Sequence, residues 1–285
     1  MKKKIFMALL MLLAFTLDVT AQPPLQVVGD GDNGKGIAMV HPWQGRRVGY
    51  IGDSITDPNN NKGKIKKYWE FLQEWLNITP YVYGRSGRQW NDVPRQVRML
   101  KEEHGDEVDA IVVFIGTNDF NGSVPIGEWF VETTEQVMAA KGQPQQLETR
   151  RHREFVMSDS TYKGRINMGI DTLKRLFPDR QIVLLTPLHR AFAKFSDINV
   201  QPDENYQNGC GEYIDAYVQA VKDAGNLWGV PVIDLNAVSG LNPMIEGQSP
   251  YFNEPGYDRL HPSTKGQERM ARTLVYQLLA LPCTF

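Results

Sequence analysis

The run DAIVVFIG, from Asp109 to Gly116, restricts the fold more than any other segment of this chain. Its continuous apolar stretch is too short for a buried helix and has no polar alternation to put toward water. Both of its faces must be covered, which is the situation of a central strand in a parallel sheet. Parallel neighbours need crossover connections, usually helical, and the sequence supplies them. Arg47 to Gly52 reads as a first strand. Lys64 to Leu76 follows as a helix with Tyr68, Phe71, Leu72 and Trp75 on one face. Pro80 to Tyr83 reads as a second strand and Asn91 to Glu103 as the next helix. Beyond the central strand, helices over Ser158–Phe177 and Gly211–Trp228 alternate with strands over Gln181–Thr186 and Pro231–Leu235. A last helix covers Ser263–Leu281. This alternation predicts an α/β domain, a parallel sheet with helices on both faces. Asn121 to Arg153 interrupts the pattern and is expected to hold loops with some helix. Asn236 to Pro262 reads as one long loop.

The first residues have a different character. Lys2-Lys3-Lys4 forms a basic start, Ile5 to Phe15 is apolar, and Val19-Thr20-Ala21 offers small residues before Gln22. The pattern is that of a signal peptide over 1–21, cleaved after Ala21. The apolar run is too short for a stable membrane anchor. Residues 22–45 then form an N-terminal extension to a domain over 46–285, and the protein is expected to be secreted or periplasmic. Removing Lys2, Lys3, Lys4 and Asp18 takes the formal net charge from −2 to −4, so neither nucleic acid nor an anionic membrane surface is an expected partner. Cys210 and Cys283 are the only cysteines. They either pair, as an oxidising compartment permits, or stay as two buried thiols. Nothing in the sequence fixes an oligomeric state.

In an open parallel sheet, ligands collect beyond the carboxyl ends of the strands where strand order reverses. Three segments sit at such ends: Gly52-Asp53-Ser54, Gly84-Arg85-Ser86-Gly87 and Gly116-Thr117-Asn118-Asp119. The first presents a hydroxyl after a glycine turn, the second a backbone N–H, the third a side-chain amide. Three convergent donors describe an oxyanion hole. Far away in sequence, Asp258-Arg259-Leu260-His261-Pro262 offers a histidine three residues after an aspartate. Taken singly, each segment is a common turn or helix cap. The ordered set is what points to acyl transfer.

With these four blocks the chain resembles the SGNH hydrolases, also called the GDSL esterase and lipase family, from about Arg47 to the C-terminus. One departure is Val82, at a position two residues before the first glycine of the second block where the family often has asparagine. The resemblance implies a three-layer α/β/α sandwich whose central sheet of about five strands has flavodoxin-like order. It also implies Ser54 as nucleophile, His261 as base, Asp258 as its orienting partner, and Ser54, Gly87 and Asn118 as oxyanion donors. Such chemistry needs no metal and no organic cofactor.

The substrate is less constrained. Asp53, Arg88, Trp90, Phe120 and His189 adjoin the motifs and are expected substrate contacts. Arg85, Arg190, Tyr251, Phe252 and Tyr257 add to an aromatic and polar rim suited to a sugar ring. The expectation is hydrolysis of a small-molecule or glycan ester, O-acetyl in the first place. The alternatives are a lipid, lysophospholipid or general short-chain acyl ester, acyl transfer in place of hydrolysis, and a glycan-binding module without chemistry. Asp30-Gly31-Asp32-Asn33-Gly34 begins like a calcium loop, but its twelfth position is His41 where a bidentate glutamate is needed. His41, His104, His152 and His189 lack paired ligand spacing, so no metal site is expected. Arg150-Arg151-His152-Arg153 reads as a solvated helix start.

Overall fold

The computed structural model describes residues 25–30, 34–283 and 285. The expected signal peptide over 1–21 and the glycine-rich turn at 31–33 lie outside the described residues. The chain divides into two units, Met1–Val40 and His41–Phe285. In the first, β1 (Leu25–Asp30) and β2 (Gly34–Met39) form an antiparallel pair with Leu25 opposite Met39.

The second unit starts before the boundary read from the sequence. Trp43 is buried, and His41 Nε2 lies 2.8 Å from the Val275 carbonyl oxygen, so residues 41–45 pack with this unit. Its first half holds β3 (Arg47–Gly52), α1 (Tyr68–Leu76), β4 (Thr79–Val82), α2 (Val93–His104), β5 (Ala110–Phe114), α3 (Thr117–Asn121), β6 (Phe130–Ala139) and β7 (Gln146–Phe155). Then come α4 (Tyr162–Leu176), β8 (Gln181–Leu185), β9 (Ala193–Ser196), β10 (Asn199–Gln201), α5 (Ile214–Trp228) and β11 (Val232–Ile233). The last elements are α6 (Leu235–Val238), β12 (Phe252–Glu254), β13 (Asp258–Pro262) and α7 (Thr264–Ala280).

Five parallel strands make the central sheet in the order β4-β3-β5-β8-β11. This is the flavodoxin-like order, with its switch point between β3 and β5. The continuous apolar run of β5 feeds both cores. Val112 and Phe114 pack with residues of α1 and α7, while Ile111, Val113 and Ile115 pack with residues of α2, α4 and α5. The result is a helix–sheet–helix sandwich.

Helix starts shift where local polar bonds compete with the helix. Residues 60–63 make a 3₁₀ turn and Glu70 accepts from the Lys67 N–H at 2.6 Å, so α1 begins at Tyr68. Ser158 Oγ accepts from the Ser160 N–H at 3.2 Å and delays α4 to Tyr162.

Two regions differ in kind from their expected form. The stretch expected to be loops with some helix is instead a ten-residue-per-strand hairpin, β6–β7, and Arg150–Arg153 lies in its second strand. Both faces of the hairpin are largely exposed, so it carries no apolar alternation for a sequence reading to detect. Its strands are joined by cross-strand side-chain pairs: Glu132 with Arg151, Glu135 with His152 at 3.1 Å, and Gln136 Nε2 donating to Thr149 Oγ1 at 2.6 Å. Its base is fixed by Phe155, which stacks on Trp228 at 4.3 Å. The expected loop over Asn236–Pro262 also contains strands. β12 and β13 join β9 and β10 in a small antiparallel sheet, ordered β10-β9-β13-β12. These strands are three to five residues long and mostly polar, below the length at which periodicity is readable. Both cysteines are free: Cys210 is exposed, contrary to the buried reading, and Cys283 is half-buried.

Candidate active site

Strand β3 ends at Gly52, where only a glycine fits. A Cβ there would stand 2.5 Å from Thr56 Oγ1 and 2.7 Å from the Phe114 carbonyl oxygen. The Gln96 side chain closes both backbone groups of Gly52, accepting from its N–H at 2.9 Å and donating to its oxygen at 3.0 Å. After this anchor the chain turns tightly. The Asp53 carbonyl oxygen accepts from the N–H groups of Thr56 at 3.2 Å and Asp57 at 2.9 Å, and Asp53 Oδ1 accepts from the Ile55 N–H at 3.0 Å. Ser54 stands at the top of the turn. Its carbonyl oxygen accepts from Asn60 Nδ2 at 3.0 Å and from the buried Lys67 Nζ at 3.3 Å. Burial raises the Asp53 carboxyl to about 6 and lowers the Lys67 ammonium to about 8.

Ser54 Oγ lies 2.8 Å from His261 Nε2, across 207 residues of sequence. The other ring nitrogen, Nδ1, lies 3.0 Å from each oxygen of Asp258. Both residues belong to β13, not to a loop. Asp258 Oδ1 also accepts from the N–H of His261 at 3.1 Å, and Oδ2 accepts from Asn253 Nδ2 at 3.0 Å. Burial alone would push the Asp258 carboxyl up. The His261 hydrogen bond and charge, with the Asn253 donor, hold it below the usual carboxylate value.

Two further groups converge on Ser54. Gly87 adopts φ +77°, a conformation natural to glycine, with open space where a Cβ would be. The preceding residue is clamped to the Ser54 turn, because Asp57 Oδ2 accepts from both the N–H and the hydroxyl of Ser86 at 2.8 Å. Asn118 Nδ2 donates to the Arg88 carbonyl at 3.0 Å, and the Asn118 carbonyl accepts from Gln89 Nε2 at 2.8 Å. One N–H of the Asn118 amide is used in holding the side chain, which leaves the second for a ligand. Neither Asp57, Asn253 nor Gln96 was marked by the sequence motifs.

A GDSL-like lipase/acylhydrolase family model matches residues 50–269, which include all four segments. The chain belongs to this family. It is a serine ester hydrolase of the GDSL-like class. No curated protein matches the sequence. One solved structure is 25% identical, with a TM-score of 0.64 over 84% of this chain and 97% of its own. A protein from Lactobacillus plantarum is 21% identical, with a TM-score of 0.60 over 82% of this chain and 96% of its own. Another, from Chitinophaga pinensis, is 20% identical, with a TM-score of 0.57 over 81% and 97%. The last two share the fold.

In this GDSL-like hydrolase Ser54, Ser86, Gly87, Asn118 and His261 line one cleft of about 260 Å³. Its other walls come from Asn60 and Asn61 on one side and from Phe195, Asn199, Gln201 and Leu260 on the other. None of the substrate contacts expected from sequence lines it. Trp90, just before α2, is fully buried and Phe120, on α3, almost so, both turned into the core that α2, α4 and α5 share with the sheet. Asp53 and His189 line a separate void of about 10 Å³, the size of a single water. His189 pairs with Glu204 at 2.7 Å, which raises its pKa. Arg88 reaches Asp92 at 3.8 Å and contributes only its carbonyl, as the acceptor for Asn118. Of the wider rim, Phe252 is buried and Arg190 is 1% exposed. The hairpin residues Phe195, Asn199 and Gln201 escaped the sequence reading because no motif accompanies them. A larger hollow, about 530 Å³, lies at the amino ends of β8 and β11 and, among the described residues, is lined by no serine, threonine, cysteine or histidine.

Proposed function

We propose that this hydrolase removes small O-acyl groups, acetyl above all, from carbohydrate, with Ser54 as nucleophile, His261 as general base and acid, and Asp258 as its orienting carboxylate. The observation that carries the proposal is the line Ser54 Oγ, His261, Asp258, with contacts of 2.8 and 3.0 Å, opening on a cleft walled by neutral amides. In the first half-reaction His261 Nε2 takes the Ser54 proton as Oγ attacks the ester carbonyl. Negative charge on the carbonyl oxygen is met by the N–H groups of Ser54 and Gly87 and by the Asn118 amide. The tetrahedral adduct collapses, His261 gives its proton to the leaving alcohol, and Ser54 is left acylated. Water then attacks the acyl-enzyme with His261 again as base, and as that adduct collapses the acid departs and His261 returns the proton to Ser54 Oγ.

A cleft of about 260 Å³ suits a short acyl group on a single ring better than a long chain. The tip of β9–β10 supports a second reading, a lipid or lysophospholipid ester, since Ile198 is 98% exposed. Acetate release from acetylated polysaccharides, set against hydrolysis of acetyl, butyryl and octanoyl chromogenic esters, separates the two. Preference for octanoyl would overturn the carbohydrate reading. Export is part of the same proposal, with cleavage after Ala21. The mature N-terminus, sequenced from secreted protein, is then expected at Gln22.

A further inference from the structure

The proposed chemistry dictates which part of the ester lies where. The carbonyl oxygen faces Gly87 and Asn118, and the departing oxygen must lie at His261 Nε2 to receive its proton. The leaving alcohol therefore occupies the His261 side of the cleft. That side is a wall built by β9 and β10.

Strand alternation turns Phe195 to the same face as Ala193 and its partner Gln201. Phe195 and Gln201 both line the cleft, as does Asn199. The Phe195 ring meets the His261 imidazole edge-on, with centroids 5.4 Å apart, yet remains 42% exposed. Large exposed aromatic surface beside a reacting atom is a platform for something that lies on it. The wall behind it is stiff. Gln201 Oε1 accepts from Arg190 Nη2 at 2.7 Å, and Gln201 Nε2 donates to Asn199 Oδ1 at 3.0 Å. Arg190 Nη1 in turn donates to the carbonyl and hydroxyl oxygens of Thr117 at 3.2 Å, the residue before Asn118. One buried guanidinium thus ties the hairpin to the turn that carries the proposed oxyanion amide. Among the described residues His261 is the only titratable side chain lining the cleft. A cationic or anionic alcohol would find no opposite charge there, and an aliphatic alcohol would bury amides without partners.

We infer that Phe195, Asn199 and Gln201 form the leaving-alcohol subsite, and that it takes a neutral, hydroxyl-bearing saturated ring. The C–H face of such a ring lies on the Phe195 ring. Its hydroxyls meet the amide N–H groups of Asn199 and Gln201 that their mutual bond leaves over. This assignment rests on the serine-esterase reading of Ser54 and His261.

The test compares two acetate esters on the full chain, an O-acetylated methyl glycoside and ethyl acetate, by acetate release. Phe195→Ala is expected to lower kcat/KM on the glycoside at least tenfold more than on ethyl acetate, chiefly through KM. Phe195→Trp is expected to recover most of the difference. An equal loss on both esters would overturn the subsite and make Phe195 a residue that merely positions His261. A wild-type protein that cleaves ethyl acetate but no acetylated glycoside would overturn it as well. Ser54→Ala keeps the two levels apart: if it retains activity on ethyl acetate, the esterase reading itself has failed. If it abolishes activity while Phe195→Ala acts equally on both esters, only the subsite is lost.

Discussion

The two halves of the proposed triad are supported in opposite ways. Ser54 follows a strand buried on both faces, and the turn beneath it is held by groups from separate parts of the chain: Gln96 on α2 and Lys67 and Asn60 before α1 bond to it, while Phe114 on β5 packs close against Gly52. Asp258 and His261 sit on a short strand of the small antiparallel sheet, and most of their bonds are to each other or to Asn253, five residues before Asp258. Ser54 is placed by the packing of the whole domain. His261 is placed by a local hydrogen-bond cluster that the small sheet only carries. Damage to the first support should appear as lost stability, damage to the second as lost rate.

The largest expected effect defines the comparison itself. Ser54→Ala should lower kcat on a small acetyl ester by about a millionfold. More than a percent of residual turnover in purified protein would remove Ser54 from the chemistry. Asp258→Asn keeps the shape but favours the wrong imidazole tautomer, and a loss of about 10⁴ in kcat is expected. Asn118→Ala should cost about 100- to 1,000-fold if its free N–H meets the oxyanion.

The supports themselves predict smaller effects. The Asp53 carboxyl, raised by burial from 3.8 to about 6, binds its proton more tightly folded than unfolded. Its contribution is fully present below pH 3.8 and is lost as pH rises through about 6. Asp53→Asn should therefore gain stability relative to the parent between pH 4 and pH 7, reaching roughly 3 kcal/mol. Parallel Tm profiles across that range would refute the assignment. Gln96→Ala leaves the buried Gly52 N–H without its acceptor and should cost about 2 kcal/mol of stability. Asn253→Ala should cost about tenfold in kcat, from a loosened Asp258, and only about 1 kcal/mol of stability. Equal Tm losses in the last two variants would break the contrast between the two supports.

Legibility followed burial. The central strand and its neighbours were readable because residues such as Ile111, Val113 and Leu184 must be apolar whichever way they face. Catalytic candidates were readable because glycines and polar residues at strand ends obey sheet geometry. The hairpin β6–β7 was not, since strands exposed on both faces leave no periodic trace. Trp90 and Phe120 mark the opposite error. Proximity in sequence suggested a rim, but their size drew them into the core, where a large aromatic side chain is worth about 1.5–3 kcal/mol.

From the sequence alone came the parallel α/β plan, the four segments at strand ends and the residue types that make ester hydrolysis possible, because apolar runs and glycine turns are local constraints. The tertiary structure alone decided that Ser54 meets His261 at 2.8 Å and that Asn253 and Asp57 hold the site. It also decided that the wall beside the base is a hairpin bearing Phe195. Those contacts join residues whose side chains carry no signal of their partner until the sheet order brings the segments together.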